Sequence, residues 1–397
     1  MKLARFYPVI LCLVVLLDAG CGEKPAPVST TSAACVPATK PEFSYVLTGY
    51  AVSIFTVDSC TGQFTPTTPA SVSTGYALPQ DDSEQMVIDP LGRFAYVANL
   101  VSNASSVSTI SMYTINPTTG VLTPTTPATV PTGWLPQEIA IDPLGRFVYT
   151  ANTNDSTVSM FTINQSTGVL TPTTPATVST MLPGEVLSDP GFLTVDPAGK
   201  FLYVSALDSD GATVSMFTIN QTTGLLTPTS PATVLTDGDP FQVVVAPSGK
   251  FAYVVNNFGG GNAVSQYTVN PTTGILTLNT SSVVAAGSGP TAIAVDPTSS
   301  FAYVVNRGDN TVSMFTIDLT TGNLKLNSTA ANPTATIATG TEPFRITFDP
   351  TGKFVYVTNE GSAASIYTVN HDGTLASAGV SGVATGALST AFTAVSQ

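Results

Sequence analysis

From residue 43 onward the chain is a succession of short runs rich in Val, Ile, Phe, Tyr and Thr, in which apolar and polar positions alternate. Such runs read as half-buried strands, and the Pro, Gly, Asn and Asp clusters between them read as tight turns. The pattern repeats. Each unit holds a Pro, an apolar strand ending in Asp-Pro-x-Gly-Lys/Arg, a Phe-x-Tyr-Val strand, a Val-Ser-Met-Phe-Thr strand, a Thr-Gly turn and a Leu-Thr-Pro strand. The Asp that closes the first strand falls at Asp89, Asp142, Asp196, Asp296 and Asp349, with Ala246 in the equivalent place, so the spacing is 50 to 54 residues. No helix is predicted beyond the first twenty residues.

These six anchors leave two fragments. Phe43 to Val72 carries only the last three strands of a unit, and Ala387 to Val395 carries only a first strand. Joined, they make a seventh unit and remove the exposed edges that an open array would leave. The expected fold is therefore all-β: a seven-bladed β-propeller over residues 43–397, with four-stranded blades, closed by pairing of the C-terminal strand with the N-terminal blade. The Asp-Pro-x-Gly turns and the Thr-Thr-Gly turns at Gly120, Gly168, Gly224, Gly274 and Gly322 read as structural.

The first residues follow other rules. Lys2 and Arg5 precede an apolar run from Phe6 to Leu17 and then Asp18-Ala19-Gly20-Cys21, the pattern of an export signal over residues 1–20. Its end resembles a bacterial lipoprotein signal, which would make Cys21 the lipidated first residue of a linker over 21–42; the alternative is ordinary cleavage and a secreted protein. Either way the protein is expected outside the cytoplasm, in the periplasm or at the cell surface, touching the membrane only through an N-terminal lipid. In that oxidising setting Cys35 and Cys60 are expected to form a disulfide, which would contribute on the order of 3 kcal/mol.

Charge adds an orientation. Only 9% of residues are charged and the formal net charge is −13. In a propeller whose innermost strand comes first, the near-identical turns fall on one face and the variable loops on the other. Most of the acids lie in the variable loops, against only Arg307 and Arg345. Such a face attracts cations or basic partners, repels anions and offers nothing to nucleic acid. Asp208-Ser209-Asp210-Gly211 and Asp237-Gly238-Asp239 faintly resemble a calcium loop, so Ca²⁺ is the one cofactor these loops suggest; otherwise none is expected. A monomer is expected.

At the channel mouth, the position four before each anchor reads Gln85, Glu138, Phe192, Gln242, Ala292, Arg345 and Ala391. This mixed ring, with Trp134, Gln137, Phe258 and Phe344 nearby, is the natural place for a small-molecule pocket. Trp134 reads equally as a loop residue packed on its neighbour.

Segments such as Phe301-Ala302-Tyr303-Val304-Val305-Asn306 and Phe354-Val355-Tyr356-Val357-Thr358-Asn359 resemble those of the lactonase-type seven-bladed propellers and the related Tyr-Val-Thr-Asn repeat proteins. The resemblance implies hydrolysis of a lactone. Glu342-Pro343-Phe344-Arg345 followed by Asn359-Glu360 looks like that family's Gly-Pro-Arg-His followed by Asn-Glu, with Arg345 where the family has His. On this reading Glu360, Glu342 or Glu138 would be the base and Arg307 or Arg345 the stabiliser of the oxyanion. The acidity of the face argues against a phosphorylated lactone. Capture of a small ligand or basic partner by the acidic face is the leading expectation, and lactone hydrolysis is the alternative.

Overall fold

The computed structural model describes residue 35 and residues 41–48, 51–74, 85–100, 107–181, 188–208, 211–258, 262–360, 362–384 and 389–395. The chain divides into two units, Met1–Val36 and Pro37–Gln397. Cys21 and residues 1–20, expected to be an export signal, lie outside the described residues, as does Asp210. Cys35 and Cys60 are both disulfide-bonded. Among the described residues no helix is long and apolar enough to cross a membrane.

The larger unit is a ring of seven antiparallel sheets. The first six blades begin at Gln85, Pro136, Ser188, Asp239, Pro290 and Pro343. The seventh is assembled from both ends: Ser389–Val395 pairs with Glu42–Thr48, which pairs with Ala51–Val57 and then Phe64–Ser73. In the fifth blade the outermost strand is split into Leu324–Leu326 and Thr336–Ala338, both on Thr311–Ile317. The single helical element described is a 3₁₀ turn at Thr153–Asp155.

What holds one blade to the next is the same contact repeated round the ring. The Tyr of each Phe-x-Tyr strand lies in the core, and in six of the seven blades its hydroxyl donates to the carbonyl of the glycine in the turn between the third and fourth strands of the following blade. The bonds Tyr45–Gly120, Tyr96–Gly168, Tyr149–Gly224, Tyr203–Gly274, Tyr253–Gly322 and Tyr303–Gly373 are all 2.8–2.9 Å. Two residues earlier, the Phe ring lies flat against the same glycine. A Cβ at Gly274 would come within 2.3 Å of Phe201, and one at Gly62 within 2.8 Å of Phe354, so the lock runs through the closing blade as well. The turn glycines thus serve two needs, a positive φ and a bare face for the neighbour's ring.

A comparison of two glycines separates those needs. Gly249 has φ +69° with nothing within 4 Å of its Cβ position, whereas Gly274 has φ +74° and the Phe201 contact. Gly249→Ala is expected to lose only the left-handed backbone cost of about 1–2 kcal/mol. Gly274→Ala adds about 1–3 kcal/mol of overpacking. Urea unfolding of the two variants side by side checks the difference.

Two further repeat positions are structural. The anchor Asp accepts the backbone N–H groups four and five residues on, as at Asp196 with Lys200 and Phe201 (2.5 and 2.7 Å). The Asn ending the second strand donates to the Ser of the third, as Asn152–Ser159 and Asn306–Ser313 do at 2.8 Å.

Candidate active site

Five of the seven innermost strands carry a Pro within their first three residues, and just after it the pairing slips. The register breaks between Pro136 and Glu138, Pro240 and Gln242, Pro290 and Ala292, Pro343 and Arg345, and Pro190 and Leu193. A bulge leaves the extra residue unpaired and turns it away from the ladder. The skipped residues are Gln137, Phe241, Thr291, Phe344 and the pair Gly191-Phe192. Four of them, Gln137, Phe192, Phe241 and Phe344, line a cavity of about 210 Å³ together with Gln85, Arg307 and Glu360.

This shifts the expected ring by one place. Of the residues four before each anchor, Gln85 and Phe192 reach the cavity. Gln242 instead accepts the Ile293 N–H at 2.7 Å, and Arg345 and Glu138 form an ion pair at 2.9 Å joining the sixth blade to the second. Neither Arg345 nor Glu138 lines the cavity. Phe192, expected in the ring, and Phe241, one residue before the ring position Gln242, complete its aromatic wall.

The wall is tightly packed. Phe192 and Phe241 are 4.5 Å apart between centroids, and Phe241 meets Phe344 edge-on at 5.8 Å. The Arg345 guanidinium lies 4.5 Å from the Phe192 centroid and 5.5 Å from that of Phe344. Burial pushes the Glu138 carboxyl above the usual carboxylate range, and Arg345 pulls it part of the way back.

At the rim, Arg307 gathers the other two candidates. Its Nη2 lies 2.5 Å from Glu360 and 3.3 Å from Glu342. Glu360 is largely buried and Glu342 exposed. Each is placed by its backbone: Glu360 follows Asn359 at the end of its strand, and its N–H donates to the Glu342 carbonyl at 3.0 Å. Glu342 has φ +50°, in the position that Gly289 holds in the preceding blade with φ +59°. A carboxylate residue in this glycine-favouring conformation is a local strain retained beside the cluster. Arg307 also faces a second, wider groove of about 460 Å³, lined by Asn257, Gly289, Gly308, Asn310 and Glu342.

The remaining candidates fall elsewhere. Trp134 is 36% exposed and lines neither cavity; its backbone N–H donates to the Asp155 carboxylate at 2.6 Å, the same brace that the Ser288 backbone N–H makes to Asp309 at 2.7 Å. It is a loop residue. Phe258 and Asp208 end their strands, and their side chains lie outside the described residues. Asp237 and Asp239 flank the start of the fourth blade, and no group of three or more His, Cys, Asp or Glu able to hold a metal occurs among the described residues.

The comparisons with known proteins agree with this geometry. The family model of the lactonase seven-bladed β-propellers matches residues 40–186 and 236–383. The chain belongs to that family. The interval between the two matches is the third blade, in which Ala206 replaces the strand-ending Asn and the Ser215 hydroxyl has no hydrogen-bond partner among the described residues. No curated protein matches. Among solved structures, one described as a candidate 6-phosphogluconolactonase from Bacteroides uniformis is 20% identical with a TM-score of 0.70, covering 89% of this chain and 99% of its own. The periplasmic gluconolactonase of Pseudomonas aeruginosa is 17% identical with a TM-score of 0.68, covering 89% and 99%. At these identities the likeness is one of fold.

Proposed function

We propose that this propeller hydrolyses an uncharged sugar-type lactone in the cavity between Arg307, Glu360 and the Phe192–Phe241–Phe344 wall. The observation that carries the reading is the way Arg307 is held. It engages both carboxylates through one nitrogen, Nη2, while its Nε and Nη1 have no hydrogen-bond partner among the described residues. A lactone carbonyl placed against those donors meets a cation held in place by Glu360, whose carboxylate lies beside it. Water attacks the carbonyl carbon as Glu360 takes its proton, and Arg307 stabilises the tetrahedral oxyanion. Collapse breaks the bond from the carbonyl carbon to the ring oxygen, and the proton returns from Glu360 to that oxygen, giving the open hydroxy acid.

Family membership favours this over partner capture by the acidic face. Charge selects among lactones. Arg307 faces two carboxylates and Arg345 one, so the mouth carries no surplus positive charge to hold a phosphate. The export pattern ending at Cys21 supports an extracytoplasmic setting. Glucono-1,5-lactone is expected to be turned over, with kcat/KM at least about tenfold above that for its 6-phosphate, a difference of about 1.4 kcal/mol in transition-state stabilisation. A rate assay on both, corrected for spontaneous hydrolysis, checks it; the opposite preference defeats the charge argument, and no turnover on either returns the acidic face to a binding role.

A further inference from the structure

The reactive cavity of about 210 Å³ has room for a single lactone ring, below the roughly 300–1,000 Å³ typical of larger ligand sites. Beyond Arg307 the surface does not end. The second groove, about 460 Å³, has Arg307 in its own lining and runs across the loops of the fourth, fifth and sixth blades. Its side chains differ from those of the cavity. The cavity is walled by three phenyl rings, whereas the groove presents two amides, two glycines and one Arg–Glu pair, with no apolar side chain among them.

Two of those side chains have amide groups that the described residues leave open to a ligand. The Asn310 Oδ1 accepts the Glu342 N–H at 2.7 Å, which leaves its amide nitrogen without a partner among the described residues, and the Asn257 amide likewise has none. Gly289 and Gly308 are pressed together: a Cβ on Gly289 would lie 3.2 Å from the Gly308 nitrogen, and one on Gly308 would lie 2.7 Å from the Ser288 hydroxyl. A side chain at either position would crowd its neighbour, and the two glycines leave backbone exposed at this point of the groove. The single positive and single negative side chain cancel, which disfavours a charged occupant. Amide donors, amide acceptors and exposed peptide groups in a groove with balanced charge and no apolar side chain match a ligand that joins hydroxyls to the carbon face of a ring, as a sugar does.

We propose that the groove binds a second sugar ring, so that the substrate class is an aldonolactone carrying a glycosyl substituent. This rests on the hydrolytic reading of the adjoining cavity for its chemistry, but binding tests it separately. The lactone ring sits against Arg307 and Glu360, and the attached sugar crosses Arg307 to meet Asn257 and Asn310.

The test uses inert lactams in place of the lactones, so that occupancy is read without turnover. Calorimetric titration of the full chain with glucono-1,5-lactam and with its 4-O-β-glucosyl derivative is expected to give at least about tenfold tighter binding for the disaccharide form. Asn257→Tyr, which fills the groove, is expected to bring that ratio to about one, while thermal unfolding verifies that the variant is folded. Equal or weaker binding of the disaccharide lactam, or no binding of either, overturns the proposal. So does a ratio that Asn257→Tyr leaves unchanged. If the lactams bind with the expected ratio but neither lactone is turned over, the second-ring site stands and the hydrolytic reading fails.

Discussion

Glu360→Gln is expected to lower kcat on glucono-1,5-lactone by about 10²–10⁴, the usual loss when a general base is removed, with KM nearly unchanged. The substitution keeps the side chain's shape and one oxygen to accept from Arg307, so it removes proton transfer without emptying the wall. Arg307→Ala should cost about 10²–10³ by removing the donors to the oxyanion. Glu342→Gln should cost less than about tenfold, because Glu342 is exposed and 3.3 Å from the guanidinium, against 2.5 Å for Glu360. Steady-state kinetics on the three variants orders them. If Glu342→Gln is the most damaged, the roles of the two carboxylates must be exchanged.

The fold was legible because its determinants are local and repeated. Phe-x-Tyr-Val, Asp-Pro-x-Gly and Thr-Gly each recur in most blades, and each makes the same kind of contact in most of them, so one unit interprets the others. Even closure was readable, since the two fragments lacked complementary strands. The site was half legible. Arg307, Glu342 and Glu360 stood out as charges departing from the repeat, and they meet at one point. The cavity wall was displaced by one residue because period-2 alternation assumes an unbroken register, and the bulge after Pro136, Pro240 and Pro343 breaks it there. Its fixing contacts lie far along the chain: Ser205 donates to the Phe241 carbonyl, and Thr291 to that of Phe344. No spacing in the sequence displays such pairs.

The same displacement gives Arg345 and Glu138 a different role, and with it the largest expected effect on stability. Their side chains are only 9% and 14% exposed, and their ion pair joins blades that are 207 residues apart in the chain. Arg345→Met keeps much of the side chain's length against Phe192 and Phe344 but leaves Glu138 a buried, unpaired carboxylate. Breaking a buried pair from one side costs about 3–5 kcal/mol. The loss depends on pH with a definite sign. Burial raises the Glu138 carboxyl above its ordinary value of 4.5, so the folded state holds that proton more tightly than the unfolded chain. The corresponding stability is fully present below that ordinary value and is lost as pH rises through the raised one. Removing Arg345 takes away the main influence that lowers it, so the loss deepens and extends to higher pH. Arg345→Met is therefore expected to be close to the parent protein in urea unfolding near pH 4 and well below it near pH 8. Adding Glu138→Gln should recover most of the difference at the higher pH, because no charge is then left to bury. A deficit of equal size at both pH values would assign Arg345 to packing alone, through its contacts with Phe192 and Phe344, and would leave the ion pair without a part in holding the channel together.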